Sequence, residues 1–191
     1  LRIDEAIHYF LGDPAQAAVC AEKLLLLTKR LEAIRQRNSE DHVKCLFRLV
    51  AYCTEVGNQQ RVVAILDEFR RCVSVESEYK HLYLLRLPAT LLRTSFVFAL
   101  PEMAIEGVEL WNASGLSVEA NLVDAVRFET MIYICAYFLS IRKIANAREV
   151  LNRLTDVERR FPYLALQTVV KILHLMILLE EDDEIGLQSF S

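Results

Sequence analysis

The amino-acid sequence predicts an all-α protein, a solenoid of antiparallel helix hairpins. Three observations carry that prediction. Only 5 Gly and 4 Pro occur in 191 residues, too few for the many turns of an all-β chain but enough for helices joined by short corners. Apolar residues make up 53% of the chain and recur at three- and four-residue spacing, the period of a helix with one buried face. A helix–corner–helix unit also returns at near-constant intervals. Its corner residues are Gly12, Gly57, Ala99, Arg142 and Glu181, separated by 45, 42, 43 and 39 residues. A fixed period in this range marks stacked helical repeats.

The elements follow in order. Residues 2 to 11 form a short helix that ends at Gly12. Asp13 caps the next helix and Pro14 takes its first position, where a missing N–H costs nothing. That helix runs to about Gln36, with Leu24, Leu25, Leu27, Thr28, Leu31 and Ile34 as its apolar face. Ser39 or Glu40 opens a third helix with Val43, Leu46, Phe47, Leu49, Val50 and Cys53 inward. Gly57 ends it, since the left-handed residue past a last turn is most easily Gly. Asn58 caps the return helix, which carries Val62, Val63, Ile65, Leu66, Phe69 and Val73.

Ser74 to Ser77 makes the next corner. A long helix from about Glu78 to Ala99 holds Pro88, which predicts a kink near Leu84 to Pro88 or a split in two. Pro101 starts its return helix, which stops at Ser114-Gly115. Ser117, with Glu119 near a capping-box position, opens another long helix through Met131, Ile134, Cys135 and Phe138. Arg142-Lys143 forms its corner, with cations at a helix C-terminus, and Ile144 to Leu154 returns. A last pair begins near Phe161-Pro162, and its first helix runs to about Glu180. The acidic run Glu180 to Glu184 then reads as a corner, with Asp182 or Asp183 as cap. The units are 1–37, 38–75, 76–115, 116–156 and 157–191, about four and a half hairpins in a single domain.

A small residue falls five positions after three corners, at Ala17, Ala104 and Ala147, with Val62 and Gly186 in the other two units. Leu11-Gly12-Asp13-Pro14-Ala15-Gln16-Ala17, Glu102-Met103-Ala104-Ile105-Glu106 and Ala145-Asn146-Ala147-Arg148-Glu149-Val150-Leu151 resemble the corner of tetratricopeptide repeats. There a small residue and a polar pair precede an Ala that begins the second helix's buried stripe. The resemblance spans nearly the whole chain in degenerate form. The family's period is shorter, and its aromatic and Gly positions in the first helix are mostly Leu, Val and Cys here. It places the chain beside diverged tetratricopeptide-like proteins, including long bacterial helical-repeat proteins of unassigned function. It implies a right-handed superhelix whose first helices line a concave, protein- or peptide-binding groove.

Under that implication, positions 13, 10 and 6 before each corner face the groove. These are Lys44, Phe47 and Ala51; Arg86, Ala89 and Arg93; Glu129, Ile132 and Ala136; and Thr168, Lys171 and Leu175. The expected contact residues are Lys44, Phe47, Arg86, Arg93, Glu129 and Lys171. Lys44, Arg86, Arg93 and Lys171 would make a locally basic groove suited to an acidic peptide or its C-terminal carboxylate. Scattered, solvated charges are the plainer alternative, because exposed Lys and Arg are the norm.

Charge and chemistry narrow the function further. The formal net charge is −4 and the sequence pI is near 5.6, without the basic surplus of a general nucleic-acid binder. The five cysteines, Cys20, Cys45, Cys53, Cys72 and Cys135, form no CxxC pair and read as buried thiols of a reducing, cytoplasmic compartment. His42 and Cys45 make a two-ligand edge with nothing to complete it, against a plainer reading as a solvent-facing His and a core Cys. No P-loop, GxGxxG, GxSxG or HExxH occurs, and most of the Asp and Glu residues read as helix-surface or capping groups. Neither catalysis nor a cofactor is expected.

The run Tyr163 to Leu179 is short for a membrane span and holds Gln167, Lys171 and His174. The chain opens on Leu1, so a lost targeting segment stays open. Neither end looks capped, which predicts flanking repeats or a homodimer through the ends. The expected role is a non-catalytic protein- or peptide-binding scaffold or adaptor. A regulatory or sensory domain of a larger signalling or transcription-control protein is the alternative, and an RNA-binding repeat the third.

Overall fold

The structure is a computed structural model that describes residues 2–30, 39–74, 80–113, 125–158 and 164–181. Those residues are helical, joined by tight corners, with no strand among them. The helices are α1 (Arg2–Phe10), α2 (Pro14–Arg30), α3 (Ser39–Glu55), α4 (Gln59–Ser74), α5 (Lys80–Phe98), α6 (Pro101–Ala113), α7 (Ala125–Ser140), α8 (Ile144–Glu158) and α9 (Leu164–Glu180). They form two compact units, Leu1–Ser114 and Gly115–Ser191. The expected features at residues 31–38, 75–79, 114–124, 159–163 and 182–191 lie outside the described residues. They include the Ser74–Ser77 and Ser114-Gly115 corners, the Ser117 cap, Phe161-Pro162 and Gly186.

The described corners share one backbone device. Gly12, Gly57, Ala99 and Arg142 have φ of 76°, 72°, 53° and 56°, the left-handed region that most L-residues avoid. The N–H of Gly12 bonds the Tyr9 carbonyl at 3.0 Å, and that of Asp13 bonds His8 at 2.9 Å. Gly57 and Asn58 repeat the pair on Thr54 and Cys53, and Arg142 and Lys143 on Leu139 and Phe138. Leu100 makes the longer-range bond to Ser95 at the third corner. These bonds occupy carbonyls that a helix end leaves open. Asp13 and Asn58 then cap the return helices, each side chain accepting from an N–H three residues on, Gln16 and Arg61, at 3.1 Å.

Glu181 departs from its aligned place. Its N–H bonds Ile177, as those of Leu11, Val56 and Ile141 bond residues four back, each one position before a left-handed residue. Glu181 itself is therefore not the left-handed residue of a corner. Ala99 and Arg142 carry a Cβ where Gly is favoured, so Ala99→Gly and Arg142→Gly should each stabilise the protein by about 1 kcal/mol. A Cβ at Gly57 meets nothing within 4 Å, so Gly57→Ala should cost only the backbone strain. Urea midpoints of the three variants check this, with opposite signs expected for the gains and the loss.

In the first unit, α1 packs on α2, α2 on α3, α3 on α4, α4 on α5 and α5 on α6, while α3 also touches α5. Ala17, Ala21, Leu25, Leu46, Leu49, Val62, Ile65, Leu66, Phe69, Leu87 and Leu91 form one buried cluster. Ala17, Ala21 and Leu25 set the buried stripe of α2, so Leu27 stands exposed instead of inward. The residues five positions after the corners, Ala17, Val62, Ala104 and Ala147, are all buried. Helix α5 continues unbroken through Pro88, and no split occurs. Pro88, Leu91 and Leu92, all buried, lie against Gly107 of α6. There a Cβ on Gly107 would come within 3.1 Å of the Pro88 carbonyl oxygen. In the second unit, α7 packs on α8, α8 on α9 and α7 on α9. Phe128, Met131, Ile134, Cys135, Leu139, Leu151, Leu154, Val170, Leu173 and Ile177 are buried there. No described helix is long and apolar enough to cross a membrane.

Candidate binding surface

The first-unit helices that lead into corners, α1, α3 and α5, stand side by side and present a row of polar and aromatic groups. At the corner end, Tyr9 lies with its ring 5.1 Å from that of Tyr52 and donates its hydroxyl to Glu55 at 3.4 Å. Arg93 reaches the same Glu55 oxygen at 3.4 Å. One turn further from the corner, Glu5 is 1% exposed, accepting from Tyr52 Oη at 2.9 Å and Arg48 Nη1 at 3.4 Å. A buried carboxylate needs such partners. Burial, and then the Glu5 carboxylate, hold the Tyr52 phenol above its ordinary range. Glu5 is thus one of the acids outside the surface or capping role expected of most.

Midway along α3, Phe47 packs on Phe69, ring centres 4.5 Å apart, and Phe69 is fully buried. The Arg86 guanidinium of α5 lies over the Phe47 ring, Cζ 5.4 Å from its centre. This is a cation–π contact across two neighbouring hairpins. Among the described residues, Arg86 has no carboxylate partner.

The expected groove residues therefore divide. Phe47 and Arg86 meet, and Lys44 is exposed one turn before Phe47. Arg93 is already joined to Glu55. Ala89 is buried under its neighbours and lines no open face, contrary to its assigned inward register. Glu129, half-buried on α7, and Lys171, exposed on α9, belong to the second unit. Glu5, Tyr9, Arg48, Tyr52 and Glu55 were not expected at the site. Tyr9 and Tyr52, each within five residues of its corner, were the available signal.

The return helices are tied by ion pairs. Arg61 Nε bonds Glu22 at 2.7 Å and Lys29 bonds Glu68 at 2.7 Å, both joining α2 to α4. Arg70 forks onto both oxygens of Glu106 at 2.8 and 2.6 Å, joining α4 to α6. His42 is buried rather than solvent-facing, with Nε2 3.3 Å from Glu68. His42 and then Lys29 draw the Glu68 carboxyl down to about 2. Its partner in the two-ligand edge, Cys45, directs its thiol to the Ala21 carbonyl at 3.3 Å. Among the described residues no three His, Cys, Asp or Glu side chains are placed to share a metal ion. Burial raises the Cys53 thiol and pushes Cys135 up to about 11, so neither is a ready nucleophile.

Comparisons with protein-family models, with curated proteins and with solved structures return no match.

Proposed function

We propose that this chain is a non-catalytic protein- or peptide-binding module that uses the face of its corner-leading helices. In this reading its hairpins stack as a diverged, tetratricopeptide-like right-handed superhelix. The single observation that carries the reading is the Phe47–Arg86 pair. A guanidinium seated on a ring that is itself rooted in the core has lost much of its conformational freedom before any partner arrives. Such preorganisation lowers the entropy cost of binding. Arg also belongs to the residue types that dominate binding energy at interfaces. By contrast Arg61, Arg70 and Lys29 on the return helices already hold carboxylates of this chain.

Affinity capture followed by mass spectrometry tests the reading. The 191-residue chain would be compared with a Lys44→Glu/Arg86→Glu/Arg93→Glu variant and with Lys23→Glu, which reverses an exposed charge on α2. Circular dichroism would confirm that each variant folds. A partner retained by wild type and Lys23→Glu should be depleted about tenfold by the triple variant, as expected when interface charges are reversed. Equal retention by all three would sink the proposal.

A further inference from the structure

We infer that the face takes an acidic protein segment in one polarity, with a carboxylate seated on Arg86 and the less charged part of the segment running toward the corners. This rests on the corner-leading helices being the binding face. Among the described residues, three guanidiniums occupy that face within the first unit. Arg48 holds Glu5 and Arg93 holds Glu55, each at 3.4 Å. Arg86 holds an aromatic ring. An aromatic ring stabilises the cation's charge but supplies no acceptor oxygen to its N–H donors. Of the three, Arg86 is the one whose donors meet no carboxylate among the described residues. Among the described residues the fold thus satisfies Arg48 and Arg93 with its own carboxylates and leaves Arg86 to be satisfied by a ligand.

The spacing sets the polarity. Arg86 precedes Arg93 by seven residues on α5, about 10 Å along the helix axis. A carboxylate at the Arg93 end would meet Glu55, which already occupies that guanidinium and repels a second anion. Toward the corners, Tyr9 offers a half-exposed ring to an apolar or aromatic side chain. Carboxylate chemistry is favoured over an extended nucleic-acid backbone because the paired acids Glu5 and Glu55 interrupt the cationic track that phosphates would need.

The test is a ¹⁵N NMR titration of the 191-residue chain at low salt. The probe is a blocked peptide of four glutamates followed by four alanines, and a blocked octaalanine peptide is the control. Expected shifts cluster on α3 and α5 around Phe47 and Arg86, and Arg86→Gln should weaken binding about fivefold while Arg93→Gln changes it about twofold or less. A spin label on the alanine end should broaden Tyr9 and Val56, and one on the glutamate end should not. If shifts fall on α3 and α5 but Arg86→Gln binds as wild type, the Arg86 anchor is wrong while the binding face survives. If the spin labels give the opposite pattern, the polarity is wrong. Shifts confined to the return helices, or absent, would overturn both this inference and the binding face.

Discussion

Phe69→Ala should destabilise the first unit by about 4 kcal/mol, the cost of removing a large, fully buried aromatic side chain and leaving its cavity. Phe69 sits on α4 within the cluster formed by Leu46, Leu49, Ile65, Leu66 and Leu87. It draws on three helices, so no single neighbour can collapse into the space. Its ring also supports Phe47, which in turn lies beneath Arg86. The same substitution should therefore loosen the candidate anchor, whereas a surface change of similar size would not. Phe69→Leu keeps most of the volume and should cost about 1.5 kcal/mol or less. Urea unfolding followed by circular dichroism measures the difference. Equal losses for the two variants would show that the site relaxes freely and that the Phe47–Phe69 stack carries little packing energy.

The corners were the most legible part of the sequence, because their chemistry is local. Gly12 and Gly57 supply left-handed backbone, and Asp13 and Asn58 accept from the next helix, all within a few residues. Ala99 and Arg142 lack the glycine signal; Pro101 and the cations Arg142-Lys143 marked their corners, and the period picked the residue. The period also put a corner residue at Glu181, whose N–H instead bonds four residues back, since spacing between corners drifts with helix length. The run Leu24 to Leu27 hid the face of α2, because four successive apolar residues fit any helical register. Ala17 and Ala21 choose Leu25, and exposed Leu27 falls off that stripe.

The surface was legible only where register sufficed. Counting back from the corners put Phe47 and Arg86 on one face, and they meet across α3 and α5. The same counting could not reveal that Arg93 is joined to Glu55, 38 residues earlier, or that Glu5 is buried under Tyr52, 47 residues later. Those pairs depend on how hairpins stack, and the sequence states that stacking only through side chains far apart. His42 shows the same limit. A polar residue in the first turn of a helix reads as solvated, but α2 and α4 close over it and supply Glu68. Packing overrides polarity when a partner for the polar group is built into the neighbouring element.

That partner gives the second large effect. Glu68 accepts from Lys29 at 2.7 Å on one oxygen and faces His42 Nε2 at 3.3 Å on the other. Its carboxyl is drawn from 4.5 down to about 2, first by His42 and then by Lys29, against the opposing effect of its burial. The folded-state value lies below the unfolded one, so between them the unfolded chain binds more protons and stability rises with pH. The contribution is complete above about pH 5 and disappears as pH falls toward 2. With its side chain only 18% exposed, Glu68 should contribute about 2 kcal/mol near neutral pH. Glu68→Gln should lose that amount at pH 7, and its stability curve should converge with wild type on acidification. Lys29→Met should lose less than half as much, because Lys29 is 41% exposed and its charge is partly screened. Urea midpoints from pH 7 to about pH 2.5 measure all three curves. Parallel wild-type and Glu68→Gln curves across that range would mean that the carboxylate is not held between α2 and α3, whatever the cost of the substitution at neutral pH. Convergence, with Lys29→Met between the two, would identify His42 as the main partner and fix the packing of the first two hairpins through a buried contact that no surface charge could imitate.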